Sequence, residues 1–107
     1  MTIMKTYREI ADYFKLNPKD VHTVPLDGKQ PKWFYVYTEN NSIYVASAKS
    51  QNPSSHISHP RELSAREFDS MLLLHHRRNS GYKVSQEAKA ITQNQVYWYG
   101  IFSELNV

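Results

Sequence analysis

The residues best equipped for chemistry are five cationic or titratable side chains crowded into one stretch. Between Asp69 and Glu87 there is no acidic residue, and His75, His76, Arg77, Arg78 and Lys83 fall inside that gap. Fixed cations clustered without acidic partners suit contact with phosphate groups. A polar triplet, Gln93, Asn94 and Gln95, follows soon after, at what reads as a helix N-terminus. Amide side chains there can hydrogen-bond base edges or phosphates. The plainer reading of the same residues is a solvated helix end with a polar cap.

A second group is aromatic. Trp33, Tyr35, Tyr37 and Tyr44 share one face of an expected β-hairpin, flanked by Lys32 and Lys49. Flat rings on a sheet can stack unpaired bases. The competing expectation is that helices, or a second subunit, cover this face, because a chain of 107 residues needs such side chains in its core.

Catalytic and metal signatures are weaker. His56 with His59, and His75 with His76, lack the i, i+4 spacing of a two-histidine helical metal site, and no carboxylate cluster accompanies them. A histidine base with Arg77 or Arg78 opposite a phosphorane-like state would make a small toxin-type ribonuclease, but no nucleophile or acid partner stands at diagnostic spacing. The three glycines, Gly28, Gly81 and Gly100, are too scattered for a phosphate loop. With no cysteine, disulfides, zinc knuckles and thiol catalysis are excluded. No metal, no cofactor and no catalytic residue is expected.

These side chains must be held by local structure. Thr6 and Glu9 have capping-box spacing, and Tyr7, Ile10, Ala11 and Phe14 follow as an apolar stripe, predicting a helix over 6–16. Asn17-Pro18 ends it and can open a short helix from Pro18 to about His22. The hairpin arms are 33–38 and 42–48, turning at Asn40-Asn41, residues that tolerate positive φ. That turn places Val36 opposite Val45, Thr38 opposite Ile43, Tyr37 opposite Tyr44, Tyr35 opposite Ala46 and Trp33 opposite Ala48. A third strand would come from residues 21–26 or from the C-terminus. Residues 49–60 read as a polar, mobile surface loop. Ser64 with Glu67 predicts a helix over 64–78, Ser85 caps one over 85–91, and Thr92 with Gln95 opens one over 93–105. Residues 93–105 also suit a strand; the preceding caps favour helix.

The N-terminal spacing resembles a helix-turn-helix, with Ile10, Ala11, Phe14, Leu16, Val21 and Val24 at the apolar offsets and Ala11 as the small crossing residue. A following hairpin would then stand where a winged helix carries its wing. Lys15 replaces the usual turn glycine, and the exposed second helix would offer only Lys19 and His22 as cationic groups beside Asp20. The plainer reading is a two-helix corner packed on the sheet. The helix from Ser85 and the one from Gln93 approximate the same motif less well.

Together these observations predict one small α+β domain over 1–107, with a net charge of +3. The expected function is non-enzymatic binding of DNA or RNA through Arg77, Arg78, Lys83, Gln93, Asn94, Gln95, Lys19 and His22. The alternative is a protein-interaction module or homodimer that uses its aromatic surface. The longest apolar run, Met71 to Leu74, cannot span a bilayer, and residues 1–9 show no signal-peptide core. A cytoplasmic protein without membrane contact is therefore expected.

Overall fold

A computed structural model describes residues 6–107. Part of the stretch read above for a signal-peptide core, residues 1–5, lies outside the described residues. The fold is α+β: a four-stranded antiparallel sheet with four helices, in the order α1 (Tyr7–Leu16), β1 (Lys19–His22), β2 (Trp33–Glu39), β3 (Ser42–Ser47), β4 (Arg61–Leu63), α2 (Phe68–Asn79), α3 (Ser85–Ile91) and α4 (Gln95–Leu105). The strands are neighbours in chain order, β1-β2-β3-β4.

Helix α1 begins as expected. The Thr6 hydroxyl accepts from the Glu9 amide at 3.1 Å and donates to the Glu9 carboxylate at 3.0 Å. Ile10, Ala11 and Phe14 are buried along one stripe. Asn17 closes the helix, its backbone and side-chain amides both donating to the Tyr13 carbonyl.

The next segment corrects the sequence reading. Residues 19–22 form the edge strand β1, not a short helix, so the N-terminal helix-turn-helix does not exist. Asn17-Pro18 is a local cap signal worth about 1 kcal/mol. Pairing with β2 satisfies the backbone of 19–22 and seats Val21, opposite Phe34, fully in the core, which outweighs it.

The hairpin matches its predicted register through Phe34–Ser47, including Val36–Val45, Thr38–Ile43, Tyr37–Tyr44 and Tyr35–Ala46. Asn40 and Asn41 have φ of 50° and 65°, the left-handed pair a two-residue turn requires. Trp33 does not pair with Ala48. Its backbone bonds instead to the Pro53 carbonyl and the Ser55 amide, both at 2.8 Å. Beyond the hairpin, β1 overlaps the expected third strand over 21–26 only at Val21 and His22, and β4, three residues long, carries no alternation to read.

Helices α1 and α4 pack on one face of the sheet, α2 lies against α4, and α3 against α2. Ser64 caps a single 3-10 turn before α2, accepting from the Arg66 amide. Glu67 does not complete a capping box: its carboxylate accepts the indole N–H of Trp98 at 3.1 Å. Ser85 is the first residue of α3 rather than its cap. Thr92 likewise does not cap the last helix, its hydroxyl accepting from Asn94 in the preceding turn. The last segment is helix and not strand. Six consecutive residues of α4, Tyr97 to Phe102, are buried, because it runs between the sheet and α2.

The Tyr7 hydroxyl joins α1 to the sheet edge. It donates to the Leu63 carbonyl at 2.6 Å and accepts from the Ile43 amide at 2.8 Å, standing between residues that pair across β3 and β4. Tyr7→Phe leaves both backbone groups unpaired and is expected to cost about 1.5 kcal/mol. Urea unfolding measures the loss, and hydrogen exchange should show it concentrated at β4. Unchanged exchange there would refute the bridging role.

Candidate nucleic-acid interface

The structure separates the cationic residues that the sequence groups together. Arg77, on the last turn of α2, lies 3.6 Å from Glu87 of α3, with both side chains about half exposed. Such a pair is worth little and leaves Arg77 facing solvent. Arg78, one residue on, points the other way. Its guanidinium donates to the Val24 carbonyl at 2.7 Å and lies over the Tyr99 ring at 4.4 Å. Burial pulls its pKa down, and the neighbouring Tyr99 opposes this.

Arg78, Lys83 and Gln95 do converge, lining one surface cleft. The other expected contacts do not join them. The Asn94 side-chain oxygen accepts from Arg61 at 3.3 Å, and Gln93 is exposed outside the cleft wall. Lys19 donates to the Glu104 carboxylate and the Tyr13 hydroxyl, each at 2.9 Å. Burial acts to lower its pKa, but these two partners raise it above the ordinary lysine value. His22 packs edge-on against Trp33, ring centres 5.0 Å apart. Both residues sit on β1, so neither is presented by a recognition helix.

The aromatic face overturns the expectation that helices would cover it. Alternation along β2 sends Phe34 and Val36 into the core and Trp33, Tyr35 and Tyr37 to the opposite side, each half-buried. Helices α1 and α4 lie on the core side. The rings form a ladder. His22 meets Trp33 edge-on, Tyr35 lies 5.7 Å from Tyr37, and Tyr37 stacks on Tyr44 at 5.6 Å with planes 16° apart. Lys49 places its ammonium 4.3 Å from the Tyr35 ring.

The polar loop after β3 borders this face and is fastened rather than loose. The Asp20 carboxylate, on β1, accepts the amides of Lys49, Ser50 and Gln51 at 2.8–2.9 Å. Burial alone would raise the Asp20 pKa; the three amides and the Lys49 charge hold it below the usual value. Ser47 bonds both backbone groups of Ile57, which is buried. His56 and His59 point into solvent, and among the described residues no three His, Cys, Asp or Glu side chains gather where they could hold a metal. Nor is any described helix long and apolar enough to cross a membrane.

No protein-family model, no curated protein and no solved structure matches this chain.

Sequence reasoning missed Lys29 and Tyr99, which line the same cleft system as Arg78. Lys29 belongs to a turn-rich loop whose docking nothing local specifies. Tyr99 was absorbed into an apolar run. Its hydroxyl, buried beside Arg78, has no hydrogen-bond partner, an arrangement only packing creates.

Proposed function

We propose that this chain is a non-enzymatic binding protein for single-stranded nucleic acid, which it takes on the open face of its sheet. The supporting observation is the partly buried ladder of Trp33, Tyr35, Tyr37 and Tyr44 on the side opposite the helices. Base–aromatic stacking contributes about 1–3 kcal/mol per base and needs bases free of pairing. A cation stands at the margin: Lys49 lies over Tyr35. Glu39 and Glu62 fall on the same face by register, next to the Tyr37–Tyr44 pair. Phosphates would therefore run away from this pair, toward Tyr35 and Lys49.

Trp33 reports binding directly, since the other tryptophan, Trp98, is fully buried. Titrating a single-stranded oligonucleotide at low salt should quench Trp33 fluorescence, and a duplex of the same sequence should do so far less. Tyr37→Ala with Tyr44→Ala should weaken binding at least about tenfold. Lys49→Ala should lower the slope of log K against log salt by about 0.7. Equal affinity of the ring-deleted variant, or no quenching at low salt, would refute the reading.

The same partly buried rings also suit a homodimer interface, since aromatic residues are enriched at interface cores. Light scattering decides this: a dimeric mass that falls to the monomer in the Tyr37→Ala/Tyr44→Ala variant, with no oligonucleotide quenching, favours the second copy.

A further inference from the structure

We infer that the cleft between the loop after β1 and the start of α4 is a separate site for an adenosine monophosphate group. The cleft has two lobes, of about 430 Å³ and 230 Å³, which share Arg78, Val96 and Tyr99 as a common wall. The larger alone falls in the range of about 300–1,000 Å³ usual for small-molecule sites.

Three features specify the ligand. The first is charge. Lys29 and Lys32 border the smaller lobe, Lys83 the larger and Arg78 both; the Lys29 ammonium pairs with Asp27 at 3.5 Å just outside, and no carboxylate lines either lobe itself. An anionic group is favoured at such a place. The second is apolar surface with a flat ring. Of the five large apolar side chains most exposed among the described residues, three border the larger lobe: Leu26, Tyr82 and Val96. Tyr82, 67% exposed, offers a stacking face.

The third is unsatisfied polarity. Tyr99 is 5% exposed, and its hydroxyl has no hydrogen-bond partner in the structure. The Gln95 side-chain oxygen is likewise buried and unpaired. Buried polar groups are rarely left so, and two in one wall point to an external partner. An amide that offers both an acceptor and a donor matches the N6 and N7 edge of adenine. Both oxygens are covered here, so the bound form differs by side-chain rotation, which Gln95 at the first turn of α4 is placed to make.

This site does not rest on the reading of the sheet face, and the two are tested at different residues. The full chain, labelled with nitrogen-15, is titrated with adenosine 5′-monophosphate, with adenosine and with inorganic phosphate. The mononucleotide should shift the Gln95 side-chain amide and the backbone amides of Tyr82, Lys83 and Val96, and should bind at least about tenfold more tightly than either fragment. Lys29→Ala and Lys83→Ala, both at exposed positions, should each weaken it several-fold with the spectrum otherwise retained. Gln95→Leu should abolish its preference over cytidine 5′-monophosphate.

A short oligonucleotide with a 5′-phosphorylated adenosine separates the two sources of this group. Read at the cleft resonances of the Tyr37→Ala/Tyr44→Ala variant, tighter binding than the mononucleotide marks a strand end as the ligand, equal binding a free nucleotide, and both support the site. Three results would overturn it: no shift of the cleft resonances, shifts confined to the Trp33–Tyr44 face, or inorganic phosphate binding as tightly as the nucleotide.

Discussion

Gly100→Ala is expected to destabilise the protein by a net of about 2 kcal/mol, although alanine is the better helix former by about 1 kcal/mol. Gly100 lies inside α4, where the helix crosses the end of β1. A β-carbon there would stand 2.7 Å from the His22 carbonyl oxygen and 3.0 Å from the Phe34 ring. The Phe34 contact could ease by rotation. The carbonyl contact cannot, since His22 is held in the β1–β2 ladder opposite Trp33. The helix must therefore move off the sheet, loosening Trp98, Ile101 and Phe102, all fully buried. For a chain of this size the melting temperature should fall by roughly 8–16 °C. An unchanged or raised melting temperature would show that α4 does not approach the sheet this closely.

The second large effect is acid sensitivity centred on His75. This side chain is 2% exposed, packed between the rings of Tyr99 and Phe102 on α4 and beside His76 on its own helix. Its Nε2 lies 3.3 Å from the Asn79 amide, and its Nδ1 has no partner. Burial lowers its pKa to about 4, with the charges of His76 and Arg78 adding to the effect. In the unfolded chain histidine titrates near 6.5. Above that pH both states are neutral and His75 adds no pH dependence. As pH falls from 6.5 toward 4 the unfolded chain takes up the proton first, so folded stability is lost across this window. The loss approaches about 3 kcal/mol near pH 4 and then levels off.

Urea unfolding at pH 7.5, 5.5 and 4.5 measures this slope directly. His75→Phe removes the titrating group and keeps an aromatic body among the same rings, so its stability should vary much less over the same range. Parallel curves for the two proteins would assign the acid loss to the carboxylates instead. The orphan Nδ1 is itself a cost that the phenylalanine variant avoids, so at neutral pH the substitution should be close to neutral.

Some of this fold is written in neighbouring residues. Thr6 and Glu9 specify the start of α1 because a cap acts within one turn. Asn40-Asn41 specifies the hairpin because its residues alone set the φ values that fix a two-residue turn, and register follows. The stripe of Ile10, Ala11 and Phe14 is legible because a half-buried helix has two unlike faces. Where an element has no contrast between faces, the pattern fails. Helix α4 is buried nearly all round, so the pattern of Tyr97 to Phe102 also suits a strand. Strand β1 carries a helix-opening signal and becomes a strand only because β2 presents an edge.

The candidate sites divide in the same way. The aromatic alternation of Trp33, Tyr35 and Tyr37, and the acid-free run around Arg77 and Arg78, are properties of composition and order, set by the sequence by itself. Which face the helices cover, and where each cation points, are not. Arg77 and Arg78 are adjacent, yet one meets Glu87 in solvent and the other lies over Tyr99, because successive residues on a helix diverge by about 100°. Only tertiary packing brought Lys29 and Gln95 into one cleft and left the Tyr99 hydroxyl unpaired there. It also put both sheet-packed helices on the side of Phe34 and Val36, leaving the tyrosine ladder open. Local preferences act over a few residues; the choice of face depends on total apolar burial across the whole chain, which no short segment records.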